Sequence, residues 1–88
     1  MRSEVSVLVT VRFFAAARAA AGTDSERVEV HDGATIAELV DLLSARNEDL
    51  AKVLRRCSFL CDGIAVRELS RRLGAGQTVD VLPPFAGG

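Results

Sequence analysis

The chain has no tryptophan or tyrosine, and in 88 residues it has one histidine, one methionine, two cysteines and two prolines. Cys57 and Cys61 are the only thiols, and their spacing fits neither a CxxC redox motif nor a paired zinc knuckle. They read as small core residues. His31 stands beside Asp32 and Gly33, a turn setting in which a single histidine is structural. With no Ser/His/Asp or Cys/His set, no glycine-rich phosphate loop and no metal-ligand cluster, self-contained catalysis is not expected and no metal site is assigned. No apolar run approaches the ~18–20 residues of a membrane span, because Arg12 and Arg18 flank the short stretch 13–17. Nor is there an excess of one charge. Eleven basic residues face 12 acidic ones, net −1, so nucleic-acid and membrane-surface partners lack their usual electrostatic attraction. Met1-Arg2-Ser3-Glu4 leads straight into a strand-like pattern without secretory organisation. The expected location is the cytoplasm.

What is present points to one domain. At 49% hydrophobic and 26% charged, the chain can close a single core without disulfides or metal. Val5, Val7, Val9, Val11 and Phe13 alternate with Ser6, Leu8, Thr10 and Arg12, a period-two strand. The Ala15–Ala21 run is short enough to read as a loop with a helical turn ending at Gly22. Alternation resumes over Ser25–Val30, with Glu26, Arg27 and Glu29 expected in solvent. Thr35 and Glu38 have capping-box spacing, so the principal helix starts there, with Ile36, Leu39, Val40, Leu42 and Leu43 as its apolar stripe. Leu50, Val53 and Leu54 suggest a shorter helix leading to a strand near Ser58–Cys61. Asp62-Gly63 predicts a type I′ hairpin with Ile64–Val66 returning. Thr78–Leu82 is the last strand, stopped by Pro83 and Pro84. The order β-β-α-(short α)-β-β-β predicts an α+β, β-grasp domain over 1–82, its mixed sheet wrapped around one principal helix.

The remaining residues, Pro83-Pro84-Phe85-Ala86-Gly87-Gly88, form an expected flexible tail whose end is the Gly88 carboxylate. Six extended residues reach at most about 20 Å, enough to thread a carboxylate into another protein's active site. Each residue type suits that task. The prolines restrict the exit direction, Phe85 can anchor in a groove, and glycines without Cβ can pass a narrow channel. The bland alternative is an ordinary frayed terminus, but two terminal glycines arise by chance in only about one chain in two hundred at ~7% glycine usage.

These residues resemble the ubiquitin-like MoaD/ThiS family of sulfur carriers, and the molybdopterin synthase branch in particular. The resemblance is carried by Val11-Arg12-Phe13-Phe14-Ala15 with Arg18 and Ala21-Gly22-Thr23, by Thr35-Ile36-Ala37-Glu38-Leu39, and most specifically by Val79 to Gly88. It implies that an E1-like adenylyltransferase of the MoeB type uses ATP to adenylylate the Gly88 carboxylate. Sulfur from a persulfide donor then replaces AMP, leaving a nucleophilic thiocarboxylate. It further implies that a MoaE-type large subunit, forming a heterotetramer with the carrier, directs this sulfur to cyclic pyranopterin monophosphate for molybdenum cofactor biosynthesis. Gly88 would bear the chemistry, Gly87 would give passage, and Leu82, Pro83, Pro84 and Phe85 would dock on the partner. The carrier itself would bind no cofactor and be non-catalytic.

Two alternatives stay open. The sulfur could go to thiamin thiazole or cysteine, or Gly88 could be joined to protein lysines as in a ubiquitin-like modifier. A separate feature is the run Lys52, Arg55, Arg56, Arg67, Arg71 and Arg72, opposed only by Asp62 and Glu68. It reads as a solvated face that aids encounter with an acidic partner. An RNA surface is disfavoured because no aromatic stacking platform accompanies it.

Overall fold

A computed structural model describes residues 5–84. Its elements are β1 (Ser6–Phe13), α1 (Ala15–Ala21), β2 (Ser25–His31), α2 (Ile36–Ser44), α3 (Glu48–Leu54), β3 (Ser58–Cys61), β4 (Ile64–Ala65) and β5 (Thr78–Leu82). The sheet order is β2-β1-β5-β3-β4, with β1 and β5 parallel and the remaining pairs antiparallel. The expected β-grasp arrangement is present.

Alternation in the strands sets which face is buried. Val9, Val11 and Phe13 of β1, Val28 and Val30 of β2, Phe59 and Cys61 of β3, and Val79 and Val81 of β5 all face the core. They pack with Ile36, Leu39 and Leu43 of α2 and with Leu50 and Leu54 of α3. Val7, on the same face of β1, is only half-buried and packs against the edge of this cluster.

The Thr35 capping box forms as expected: Thr35 Oγ1 accepts from the Glu38 N–H at 3.2 Å and Glu38 Oε1 accepts from the Thr35 N–H at 2.9 Å. The N–H groups of Ile36 and Ala37 donate to the carbonyls of Arg71 and Leu69, each at 2.9 Å. A returning loop, anchored by buried Leu73, thus satisfies donors that a helix start leaves unpaired.

Three expectations need correction. Ala15–Ala21 is a helix, not a loop with a helical turn. Its seven residues are too few to be stable alone, but Ala17 is fully buried and Ala20 and Ala21 pack on the core. Gly22, at φ 81, closes α1 by donating its N–H to the Arg18 carbonyl at 2.9 Å, a left-handed cap that glycine adopts without Cβ strain. Asn47 Nδ2 also donates to the Ala20 carbonyl at 3.1 Å. Leu42, placed in the α2 stripe, is 47% exposed, because it lies off the arc of Ile36, Leu39 and Leu43. Glu26 is half-buried rather than in open solvent, on the same side of β2 as Val28 and Val30, and pairs with Arg46.

His31 sits at the end of β2, its Nε2 3.1 Å from Glu38 Oε2 and its Nδ1 3.0 Å from the Asp32 carbonyl. The hydrogen bond to Glu38, followed by that to Asp32, raises the imidazole pKa above 6.5. The same bond to His31, followed by that from Thr35, lowers the Glu38 pKa below 4.5. A raised histidine value stabilises the fold below pH 6.5 and loses its effect as pH rises through the folded value. A lowered glutamate value stabilises above pH 4.5 and loses its effect as pH falls through the folded value. His31→Gln should therefore lower the melting temperature most between pH 4.5 and 6.5, and the gap to wild type should close by about pH 8. A gap of constant size across that range would rule the ion pair out as its cause.

Candidate functional site

The candidate site is the point where β5 ends. β5 lies in the middle of the sheet, paired with β1 through Phe13↔Val81 and with β3 through Ser58↔Leu82. The Phe14 N–H donates to the Val81 carbonyl at 3.3 Å. The last strand is thus held on both sides as far as Val81, and its final residue, Leu82, pairs with β3. Burial alternates through Val79, Val81 and on to Pro83, which is buried, whereas Leu82 is half-buried and Pro84 is exposed. Having no N–H, the two prolines cannot continue the ladder. Of the predicted site residues, Leu82, Pro83 and Pro84 lie together at this exit; Phe85, Gly87 and Gly88 lie outside the described residues.

The start of β5 is pinned as well. Asp62 takes φ 49 and Gly63 φ 82, the positive values that a type I′ turn requires. The Asp62 carboxylate accepts from the Thr78 N–H at 2.9 Å and from Gln77 Nε2 at 3.3 Å, and the Asp62 N–H donates to the Thr78 carbonyl at 2.8 Å. Asp62→Ala removes the carboxylate bonds and should cost about 1 kcal/mol in urea unfolding. Asp62→Asn, which keeps an acceptor, should cost about half as much or less.

On the face of the sheet turned from the core, Arg12 Nε lies 2.9 Å from Asp80 Oδ1, and its guanidinium carbon is 5.2 Å from the centre of the Phe14 ring. The Asp80 oxygen is buried, and the alignment gives it an ion pair without a hydrogen bond. Leu60 and Asp80 are cross-strand partners, as are Asp80 and Arg12. A half-buried Leu60–Leu82 surface thus borders this charge pair. On another side of the exit, Pro83 and Pro84 share a groove of about 480 Å³ with Lys52, Val53, Arg55 and Arg56. A larger depression, about 550 Å³, is lined by Ala15, Arg18, Gly22 and Asp24. Its facing charges, Arg18 and Asp24, pair at 2.8 Å.

The thiols offer no reactive centre. Burial pushes the Cys57 pKa up to about 11, and its Sγ donates to the Val53 carbonyl at 3.2 Å. Burial also raises Cys61, against the opposing pull of Arg71. Both are held as thiols at neutral pH, and it is the thiolate that is nucleophilic. Among the described residues no three His, Cys, Asp or Glu side chains gather as metal ligands, and no helix is long and apolar enough to cross a membrane.

The sequence reading did not foresee that the basic run divides. Lys52, Arg55 and Arg56 border the exit at the end of α3, whereas Arg71 and Arg72 belong to the loop against the start of α2. The adjacency of α3 to the exit comes from non-local packing, and no local pattern signals it.

Comparison with known proteins agrees with this geometry. Over 81 residues the chain is 31% identical to the molybdopterin synthase sulfur carrier subunit of Chlamydomonas reinhardtii, covering 91% of this chain and 98% of that one. A Pyrococcus furiosus protein assigned as molybdopterin converting factor subunit 1 superposes with a TM-score of 0.81 at 28% identity, covering 90% of this chain and 99% of that one. SAMP1 of Haloferax volcanii superposes with a TM-score of 0.80 at 26% identity, covering 92% and 99%. The model of the ThiS family matches residues 11–88, and the chain belongs to that family.

Proposed function

We propose that this protein is the sulfur-carrier small subunit of a molybdopterin synthase, and that its sulfur rides on the Gly88 carboxyl group. The observation that carries this reading is the near full-length similarity to the Chlamydomonas reinhardtii sulfur carrier subunit. The geometry supports it. A carrier needs a rigid body that presents its end at a defined point, and β5 is clamped on both sides where the tail departs. The cysteines, held protonated by burial, are unsuited to the task.

In this proposal an E1-like, MoeB-type enzyme adenylylates Gly88: the carboxylate oxygen bonds to the α-phosphorus of ATP and pyrophosphate leaves. Persulfide sulfur then bonds to the acyl carbon and AMP leaves. Cleavage of the resulting S–S bond by a thiol releases the thiocarboxylate. A MoaE-type large subunit positions it against cyclic pyranopterin monophosphate, and two charged carriers supply the two dithiolene sulfurs. Gly87 gives passage, and Leu82, Pro83, Pro84 and Phe85 meet the partner. The carrier supplies no acid, base or cofactor, so catalytic groups belong to the large subunit.

The test is to install the Gly88 thiocarboxylate chemically and mix the protein with the large subunit encoded in the same genome and the pterin substrate. Dithiolene product that depends on the thiocarboxylate is expected. No product, with the large subunit active towards another carrier and the thiocarboxylate intact by mass, would move the sulfur to another pathway such as thiamin thiazole or cysteine. The likeness to SAMP1 favours a second reading, a protein modifier. That reading requires isopeptide adducts through Gly88 that survive reducing denaturation.

A further inference from the structure

Lys52, Arg55 and Arg56 are all exposed at the C-terminal end of α3, and none has a carboxylate within 4.0 Å among the described residues. They share one groove with Val53, Pro83 and Pro84, and no acidic side chain lines it. Basic residues at a helix end complement the macrodipole, and Glu48 and Asp49 at the other end of α3 do the same. That accounts for their sign but not for their position around the prolines at the tail exit.

Four residues beyond Pro84 reach at most about 14 Å. Any channel that admits Gly88 must therefore open close to Pro84, which brings the groove lined by Pro83 and Pro84 within reach of its rim. The chain as a whole carries a net charge of −1, so it receives no general attraction towards an acidic protein. Three cations with no carboxylate partner among the described residues supply that attraction locally beside the exit. Apolar walls from Val53 and the prolines suit side chains of a polypeptide, and charge of this kind mainly raises encounter rate and sets orientation.

We propose that this groove docks an acidic segment at the mouth of the tail-receiving channel of the adenylating enzyme. The inference rests on the carrier reading above and adds the surface and the charge of the partner that meets it. The adenylating enzyme acts on the unmodified chain, so the contact can be measured on the protein as it exists.

The experiment measures association of the full chain with the adenylating enzyme of the same genome at several salt concentrations. Wild type is compared with Arg55→Glu/Arg56→Glu and with Arg27→Glu/Arg72→Glu, an exposed pair of equal charge change away from the exit, Arg27 opposite Thr10 in the sheet and Arg72 opposite Thr35. The first pair should slow association at least about tenfold and flatten its salt dependence, while the second should change it less than about threefold. Arg55→Gln/Arg56→Gln, which removes charge without reversing it, should fall between wild type and the first pair. Circular dichroism melts check that each variant is folded. Equal slowing by both reversed pairs would make the effect one of net charge and overturn the inference. Unchanged association of folded Arg55→Glu/Arg56→Glu, with wild type binding and adenylylated, would overturn it and leave the carrier reading standing. Wild type that neither binds nor is adenylylated would overturn both.

Discussion

Deleting Gly88 should reduce sulfur transfer to the pterin by at least about 100-fold. Removing one residue draws the terminal carboxyl back by about 3.5 Å, and a misplacement of about 1 Å at a reacting atom already costs on the order of 100-fold. Stability should change by less than about 0.5 kcal/mol, as for substitutions away from the core. Among the described residues the last buried one is Pro83, five positions earlier. The large effect on transfer and the small effect on folding must occur together. A truncated chain that keeps a tenth of wild-type transfer would remove Gly88 from the mechanism, and one that melts early would show the tail serving the fold instead.

Phe13→Ala should have the opposite signature, a loss of about 3–5 kcal/mol in unfolding free energy. Phe13 is 2% exposed and lies in the cluster formed by β1, β5 and the helices, so truncation leaves a cavity as well as losing apolar burial. Against a typical domain stability of about 5–15 kcal/mol, that loss leaves little margin. Its position adds a functional consequence. Phe13 pairs with Val81, and Phe14 donates to the Val81 carbonyl, so a cavity there loosens the strand from which the tail departs. Urea unfolding would measure the loss as a lower midpoint at unchanged slope. A change below about 1.5 kcal/mol would mean that the site collapses around the missing ring.

Features that depend on neighbours in sequence were legible before the structure. Alternation over Val5–Phe13 and Ser25–Val30 placed β1 and β2, because side chains along a strand take opposite faces whatever lies across from them. Thr35 and Glu38 placed the start of α2 because a capping box closes within four residues. Asp62-Gly63 placed its turn because only a few residue types accept positive φ. The pair Pro83-Pro84 placed the end of β5 because a residue without an N–H cannot extend a ladder. The family resemblance rested on residues 11–15 with Arg18 and 21–23, on 35–39 and on 79–88.

α1 was missed for a physical reason. A run of Ala15, Ala16, Ala17, Ala19, Ala20 and Ala21 has no contrast between apolar and polar faces, so nothing local says which side will be covered or whether seven residues will hold. Packing on the core, the Asn47 bond and the Gly22 cap supply that answer. Leu42 was misplaced because helical spacing gives an arc of apolar residues and not its width, which the neighbouring sheet sets.

By itself, then, the amino-acid sequence determined the element types other than α1, the turns that separate them, and the resemblance of residues 79–88 to sulfur carriers on which the Gly88 proposal is built. Tertiary structure alone decided that β5 lies between β1 and β3, that the 69–71 carbonyls close the start of α2, and that α3 brings Lys52, Arg55 and Arg56 to the tail exit. The division follows from range. Caps, turns and alternation are settled by residues a few positions apart, whereas strand order and the sharing of a groove depend on which distant apolar faces bury one another.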